Sequence, residues 1–407
     1  MTGKNTDKFS AGEQGLGYIY QIRLALLQLL QYPEDTAVHL EKDDDLDFID
    51  DKGGKSLASL KHKAINDRLT DLSTDFWKSV NIWLARYKRD GCAKSNLRFF
   101  LFTTGLVSSD SFLTRFLPHQ AVTTDDIRTL TELADAALVT SASKLITPIA
   151  EAFNELNSLE KQDFLERILI LDSSPRISDI PALIKDKHMR SIRREHRPFV
   201  FERLEGWWTD AVIHQLTGAN PEGIFGYELS DKLSNIAEEY KTDNLPITFR
   251  GTAPSEEINT DTDPRLFVAQ LREIGITPKR IKNAILDYYR AFSQRSAWAR
   301  ENLLALGEVA EYEDRLVDEW ERFKDFAYEK LENDSPEEAL REAGSNLYAW
   351  AEFEAGNIES LRIRARVTEP YVLRGSFHIL ADGSPSPRVY WHPKFLDRLS
   401  TVLGVES

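Results

Sequence analysis

Apolar positions along the chain change period several times, and each change predicts an element. Ile19, Ile22, Leu26, Leu29 and Leu30 recur at helical spacing, so a helix is predicted from Tyr18 to Gln31, with Pro33 beyond its end. Residues 1 to 17, rich in Gly, Ser and charge, read as a tail before it. From Val38 a short apolar run ends on Glu41, acids crowd Asp43 to Asp51, a Lys52-Gly53-Gly54 turn follows, and a second run ends on Lys61. This stretch reads as strands lined with acids and a lysine. Helical spacing returns at Phe76, Val80, Trp83, Leu84 and Tyr87, which predicts a helix capped by Ser73 or Thr74, running through Lys88 and closed by Gly91. Trp77 and Trp83 are expected to pack in the core. The near-continuous apolar run from Leu97 to Thr103 predicts a buried strand of the same sheet. Three helical patterns lie between Thr124 and Leu169, divided at Thr140-Ser141-Ala142-Ser143 and at Pro148, and the segment from Ile168 to Asp172 predicts a last strand.

Beyond this point the pattern becomes mostly helical and aromatic. Lys185, Lys187, Arg190, Arg193, Arg194 and Arg197 form the one basic concentration, and on a helix Lys187, Arg190, Arg194 and Arg197 would share a face. Such a stripe suits a run of phosphates, or a solvated face paired with acids elsewhere. Leu204-Glu205-Gly206-Trp207-Trp208 is expected to open a helix, Asn244-Leu245-Pro246-Ile247 to end another, and Gly251 to Pro264 to form a polar linker. A long helix through Ile281, Ile285, Tyr288, Tyr289, Phe292 and Trp298 follows, then a charged one from Glu311 to Asn333 and another after Ser335-Pro336. The reading is an α/β N-terminal domain over 1–172, a basic connector over 173–197 and a mostly helical region over 198–407.

At 407 residues the chain exceeds one ordinary core. Its 42% apolar and 29% charged content fits a globular protein, and the lack of an 18-residue apolar run argues against a membrane span. The first residues lack the apolar segment of a signal peptide, and Cys92 stands alone, which excludes an intrachain disulfide or a cysteine-built zinc site. Together these favour a cytoplasmic location. A net charge of −15 excludes an indiscriminately basic nucleic-acid binder, but not a locally basic groove. Gly12-Glu13-Gln14-Gly15-Leu16-Gly17 has no strand before it, and no Gly-x-x-x-x-Gly-Lys-Ser/Thr occurs, so a phosphate-loop enzyme is excluded. His378 and His392 read as hydrogen-bonded structural histidines.

Candidate chemistry sits in the acidic stretch. Side chains alternate faces along a strand. Asp45, Asp47 and Ile49 therefore share one face, opposite Leu46 and Phe48, while Ser59, Lys61 and Lys63 share one opposite Ala58, Leu60 and His62. If the strands pair across the Gly-Gly turn, Asp45 and Lys61 face one pocket. A carboxylate at a strand start with a nearby lysine is a layout for metal-dependent phosphodiester cleavage: the acid holds Mg²⁺, and the lysine orients water or offsets developing charge. The competing reading is a solvated acidic turn. Two carboxylates ~5 Å apart repel by about 3 kcal/mol at an effective dielectric near 20. Six Asp in nine residues are therefore tolerable only if splayed into solvent or offset by a cation.

Further residues carry a family resemblance. Gly17-Tyr18-Ile19-Tyr20-Gln21, then Glu41 with Asp44-Asp45, then Lys61-His62, then Leu69-Thr70-Asp71-Leu72-Ser73-Thr74-Asp75-Phe76-Trp77-Lys78 occur in the order and spacing of a restriction-endonuclease-like (PD-(D/E)xK) domain. The chain resembles the nuclease component of Lamassu and related ABC-three-component defence systems, akin to the CD-NTase-associated endonucleases. Its C-terminal half is similar to these proteins in the segments Leu204 to Trp208, Leu245-Pro246-Ile247, Leu286 to Phe292, Arg374 to His378 and Trp391 to Phe395. The resemblance implies a Mg²⁺-dependent double-stranded DNA endonuclease, with Mn²⁺ as a substitute ion. It implies Asp45 as principal metal ligand with Asp44, Glu41 and Gln21 in support, Lys61 as the catalytic lysine, and His62 as a minor candidate. Where the family usually has Gln or Glu two residues before the lysine, this chain has Ser59, which could supply only a hydroxyl. Implied partners are an SMC- or Rad50-like ATPase and a small third subunit, docked by the helical half and restraining the nuclease until aberrant DNA is sensed, with homo-oligomers forming on activation. The alternative is a catalytically weak nuclease-fold adaptor that binds DNA or the ATPase without cutting.

Overall fold

The computed structural model describes residues 11–64, 66–118, 124–141, 143–383 and 386–402. The chain opens with α1 (Ala11–Leu29), followed by β1 (Ala37–Leu40), β2 (Leu46–Ile49), β3 (Lys55–Lys61) and β4 (Arg68–Leu69). Then come α2 (Thr74–Arg89), β5 (Leu97–Thr103), β6 (Leu106–Val107), α3 (Thr124–Thr140), α4 (Thr147–Asn154), α5 (Ser158–Glu166) and β7 (Ile168–Leu171). α6 (Ile180–His188), α7 (Arg197–Leu216), β8 (Ile224–Phe225) and α8 (Gly226–Glu239) follow. Part of the expected tail is helical: α1 takes in residues 11–17, and residues 1–10 lie outside the described residues. Gly15 and Gly17 meet nothing within 4 Å where a Cβ would stand. Each costs the helix about 1 kcal/mol relative to Ala without ending it.

Six strands form one sheet in the order β7-β5-β3-β2-β1-β8. β1, β2 and β3 are an antiparallel meander, with Leu46 opposite Ala58 and Asp47 opposite Leu57, while β5 runs parallel to β3 and β7 parallel to β5. The alternation separates two faces. Leu57, Phe99, Leu101, Ile168 and Ile170 are buried with Phe76, Val80, Trp83, Leu84 and Tyr87 of α2 and with Phe153 and Phe164 from the helices after it. Trp83 stacks on Phe99 with ring centroids 5.5 Å apart, and the Trp77 indole donates to the Asp71 carbonyl at 2.7 Å, so both tryptophans pack as expected. On the other face lie Val38, Leu40, Leu46, Phe48 and Ala58; Tyr32 meets Phe48 there at 4.7 Å, and α1 packs on β1. At the start of α2, the Ser73 hydroxyl accepts from the Thr70 amide rather than capping the helix.

The chain divides into two compact units, Met1–Ile236 and Ala237–Ser407. The first runs well past the 172 and 197 boundaries read from the sequence because β8 adds to the sheet beside β1 and α7 packs on β1. Leu204 to Trp208 lie inside α7, which begins at Arg197, instead of opening a helix. The basic stripe is also broken. α6 ends at His188 and α7 starts at Arg197, so Lys187, Arg190, Arg194 and Arg197 do not lie along one helix. Lys187, Arg190 and Arg194 are exposed, whereas the Arg197 guanidinium donates to the carbonyls of Ile192 and Arg190 and closes the intervening turn.

The second unit holds α9 (Leu266–Glu273), α10 (Pro278–Arg300), α11 (Glu308–Tyr328), α12 (Glu337–Ala349), a π-helical turn (Trp350–Glu354), α13 (Pro370–Ala381) and α14 (Phe395–Val402). Its sequence motifs are packing devices. Gln294 of α10 is buried; its carbonyl oxygen accepts from the Thr248 amide and the Tyr371 hydroxyl, and its amide donates to the Pro246 carbonyl. The Trp298 indole donates to the same carbonyl at 2.7 Å. Gly375 lets α13 approach α10 so closely that a Cβ there would stand 2.2 Å from the Asp287 carbonyl oxygen. His378 is buried and stacks on Phe267 at 5.1 Å; burial, with Arg374 and Arg265 nearby, pushes its pKa down to about 3, so it is a neutral core residue. Nδ1 of His392 accepts from the Lys394 amide, and its Nε2 lies 3.4 Å from Glu337. Among the described residues no helix is long and apolar enough to cross a membrane.

Candidate functional site

The site is built where β2 begins and β3 ends. Register places Asp45 beside the Ser59-Leu60-Lys61 end of β3, and the Leu60 amide donates to Asp45 Oδ2 at 2.6 Å. Lys61 Nζ lies 3.8 Å from the same oxygen. From α1, Gln21 Nε2 donates to Asp45 Oδ1 at 3.1 Å. Glu41 closes the group from the end of β1, where its φ of 54° turns the chain and its amide donates to the Asp45 carbonyl at 3.1 Å. Partial burial and then the neighbouring Asp45 charge raise the Glu41 carboxyl, against a hydrogen bond from Gln21. Asp45 and Lys61 are thus brought together, as the alternation of side chains along the two strands requires, and Gln21 from α1 and Glu41 from the end of β1 join them.

The acidic stretch is not a solvated turn. Asp47 is fully buried, and its two oxygens accept the amides of Asp43 and Asp44, each at 3.1 Å, while Lys55 Nζ lies 3.0 Å away. Asp43 is met by Lys55 and by Arg86 and Arg89 of α2; burial works against ionisation there, but these three cations outweigh it and hold the carboxyl well below its ordinary value. Asp50 accepts the amides of Lys52 and Gly54 and forms the turn; Asp50 and Asp51 are exposed. The repulsion among six aspartates is relieved mainly by the protein's own cations and amides.

Asp44 has a bracing role that the sequence did not mark. It is buried, its Oδ2 accepts the Trp83 indole N–H at 2.6 Å, and its Oδ1 accepts the Asp45 amide at 2.9 Å. Burial, then the Asp45 charge, pushes its carboxyl up to about 6. Each oxygen thus accepts a hydrogen bond, and Asp44 braces the ligand-bearing loop. Ser59 faces the site from beneath: Lys61 Nζ donates to its hydroxyl at 3.0 Å, and Ser79 of α2 lies 2.7 Å from it. His62 points to the opposite face, edge-on to Tyr20 at 5.1 Å, and burial followed by the Arg176 charge lowers its pKa. The remaining motif residues are scaffold. Asp71 accepts the Phe112 amide at 2.9 Å, and Asp75 pairs with Lys63.

Ser79 and Trp83 escaped the sequence reading as site residues. They sit four apart on the buried stripe of α2, and that spacing was the available signal: a Ser on an otherwise apolar helix face. Among the described residues, no group of three His, Cys, Asp or Glu side chains suited to a metal occurs. The candidate donor set is the carboxylates of Asp45 and Glu41, oxygen ligands of the kind a hard divalent cation takes with waters completing its shell; Gln21 turns its Nε2 toward Asp45 and would offer an oxygen only with its amide reversed. The Gln21 Nε2 donor beside Asp45 Oδ1 marks a position next to the carboxylate where positive charge is favoured.

Residues 267–399 match the C-terminal domain 7 of the ABC-three component (ABC-3C) systems. No curated protein matches the chain. Among solved structures, the Acinetobacter baumannii Cap4 SAVED/CARF-domain containing receptor with the cyclic trinucleotide 2'3'3'-cAAA is similar at 14% identity and a TM-score of 0.32, over 55% of this chain and 46% of that one. The Moraxella osloensis Cap4 SAVED/CARF-domain containing receptor is similar at 16% identity and a TM-score of 0.33, over 70% of this chain and 61% of that one. The chain therefore spans about half to three-fifths of these structures, and at such TM-scores the likeness carries no conclusion about its chemistry. The helical C-terminal region, by contrast, has a likeness carried by its own sequence: residues 267–399 are similar to C-terminal domain 7 of the ABC-three component systems.

Proposed function

We propose that the N-terminal unit is a divalent-metal-dependent endonuclease of double-stranded DNA and that the chain is the effector subunit of an ABC-three component defence complex. The observation that supports this most is the convergence of Asp45, Glu41, Gln21 and Lys61, with Lys61 Nζ 3.8 Å from Asp45 Oδ2. Asp45 and Glu41, with Gln21, would hold Mg²⁺ or Mn²⁺; such an ion, when bound, supplies Lewis acidity toward a phosphate oxygen and lowers the pKa of its water. Lys61 is the cation directed at this carboxylate centre, placed to hold an attacking water by hydrogen bond and to offset charge on the scissile phosphate. Asp44, tied to Trp83, keeps the Asp45 backbone in place. The C-terminal domain 7 would dock an SMC- or Rad50-like ATPase and the small third subunit, which keep the nuclease silent until activation and self-association.

The test is cleavage of linear duplex DNA by the full-length protein with Mg²⁺ or Mn²⁺, with and without its partner subunits, across protein concentrations. Wild type should cut, and Asp45→Ala and Lys61→Ala should each lose activity by at least about 100-fold, the scale of a removed electrostatic catalyst. If the activated, assembled wild type leaves DNA intact, the chain is instead an adaptor that retains the fold.

A further inference from the structure

Lys61 is held by a device that reaches it from α2. Its Nζ donates to Ser59 Oγ at 3.0 Å; Ser79 Oγ lies 2.7 Å from Ser59 Oγ and 3.1 Å from the Asp75 carbonyl oxygen. Ser59 and Ser79 are 1% and 0% exposed, so the pair is closed to bulk water. An ammonium only donates, and each hydroxyl has one proton. Whichever way the proton between the two serines points, one lone pair of Ser59 is therefore committed to Lys61. With Ser59 donating to Ser79 the chain runs on to the Asp75 carbonyl in the first turn of α2; with Ser79 donating to Ser59 it ends on Ser79 itself, so either way it is anchored on α2, a helix held by Phe76, Val80, Trp83 and Tyr87. A long, flexible lysine is thereby tied through two short side chains to a rigid element.

We propose that Ser79 is a positioning residue: through Ser59 it fixes the Lys61 ammonium toward Asp45, so that α2 sets the geometry of the cation facing the carboxylates. The inference rests on the nuclease reading for its consequence but not for its test. In the full-length, metal-free protein, the rate at which Lys61 is modified by an amine-reactive reagent is read by mass spectrometry, with Lys55 and Lys63 as internal references. Ser79→Ala should raise the Lys61 rate roughly three- to tenfold, the scale of one missing hydrogen bond, and leave both references unchanged. Ser79→Thr should restore it. Ser59→Ala should act as Ser79→Ala does, and the double variant should add nothing to either, as required of residues in one chain.

Where wild type cuts DNA, Ser79→Ala should lower kcat by a similar factor at unchanged KM. Equal labelling in wild type and Ser79→Ala, or effects of the two serines that simply add, overturns the relay whether or not DNA is cut. Absence of cutting in wild type overturns the nuclease reading and leaves the labelling result standing.

Discussion

Replacing Gly375 with Ala tests how closely the C-terminal unit is packed. A Cβ at this position would lie 2.2 Å from the Asp287 carbonyl oxygen and 2.4 Å from Ala291 Cβ. Touching carbon atoms sit at about 3.5–4.0 Å, so α10 and α13 must part by roughly 1 Å. Neither neighbour is a flexible side-chain end that could swing away. Overpacking of this kind costs about 1–3 kcal/mol, here at the upper end, while removing a helical glycine returns about 1 kcal/mol. The net loss of about 2 kcal/mol should lower the melting of a unit this size by about 4–8 °C, at roughly 2–4 °C per kcal/mol. Gly206, inside α7, is the control, because an added Cβ there meets nothing within 4 Å. Gly206→Ala should stabilise its own unit by about 0.5–1 kcal/mol. Calorimetry on the full chain, with hydrogen exchange assigning each transition to its unit, reads both changes. A Gly375→Ala protein that melts at or above wild type would refute the close approach of α10 and α13.

Trp83→Phe removes the indole donor to Asp44 and leaves a buried carboxylate oxygen unpaired, which should cost about 1–3 kcal/mol in the urea unfolding of the N-terminal unit; an unchanged midpoint counts against the brace. Burial pushes the Asp287 carboxyl up to about 6, against Arg374 and Arg290. The folded state therefore binds this proton more tightly than the unfolded chain, and its contribution is complete below the unfolded pKa of about 4 and lost as pH rises through about 6. Asp287→Asn should accordingly raise denaturation midpoints at pH about 7.5 more than at pH about 4, and equal shifts at both would contradict the assignment. Replacing exposed Lys187, Arg190 and Arg194 with Gln should flatten the salt dependence of duplex binding by about 0.9 in log–log slope for each phosphate that is no longer neutralised. An unchanged slope places the phosphate path elsewhere.

Most elements were legible because their signals are local. The period-two stretch after Val38, the apolar run from Leu97 to Thr103 and the stripe on α2 each encode their geometry within a few residues, and the parity of Asp45 and Lys61 followed from the pleat alone. What the neighbours of those residues do was not legible. Asp44 looked like a second ligand, yet a tryptophan 39 positions away claims one of its oxygens; Ser59 looked like a missing ligand, yet a serine 20 positions away makes it part of a bracket for the lysine. The acids could be read only as splayed into solvent or gathered on a cation, because Arg86 and Arg89, which meet Asp43, lie on another element. The end of the first unit and the break in the basic stripe were likewise decided at long range, by a two-residue strand joining β1 and by turns that the helical pattern did not mark. Side-chain periodicity reports which face a residue occupies, because it is set by the backbone. Which partner waits on that face depends on how distant segments pack, and only the tertiary structure settles that.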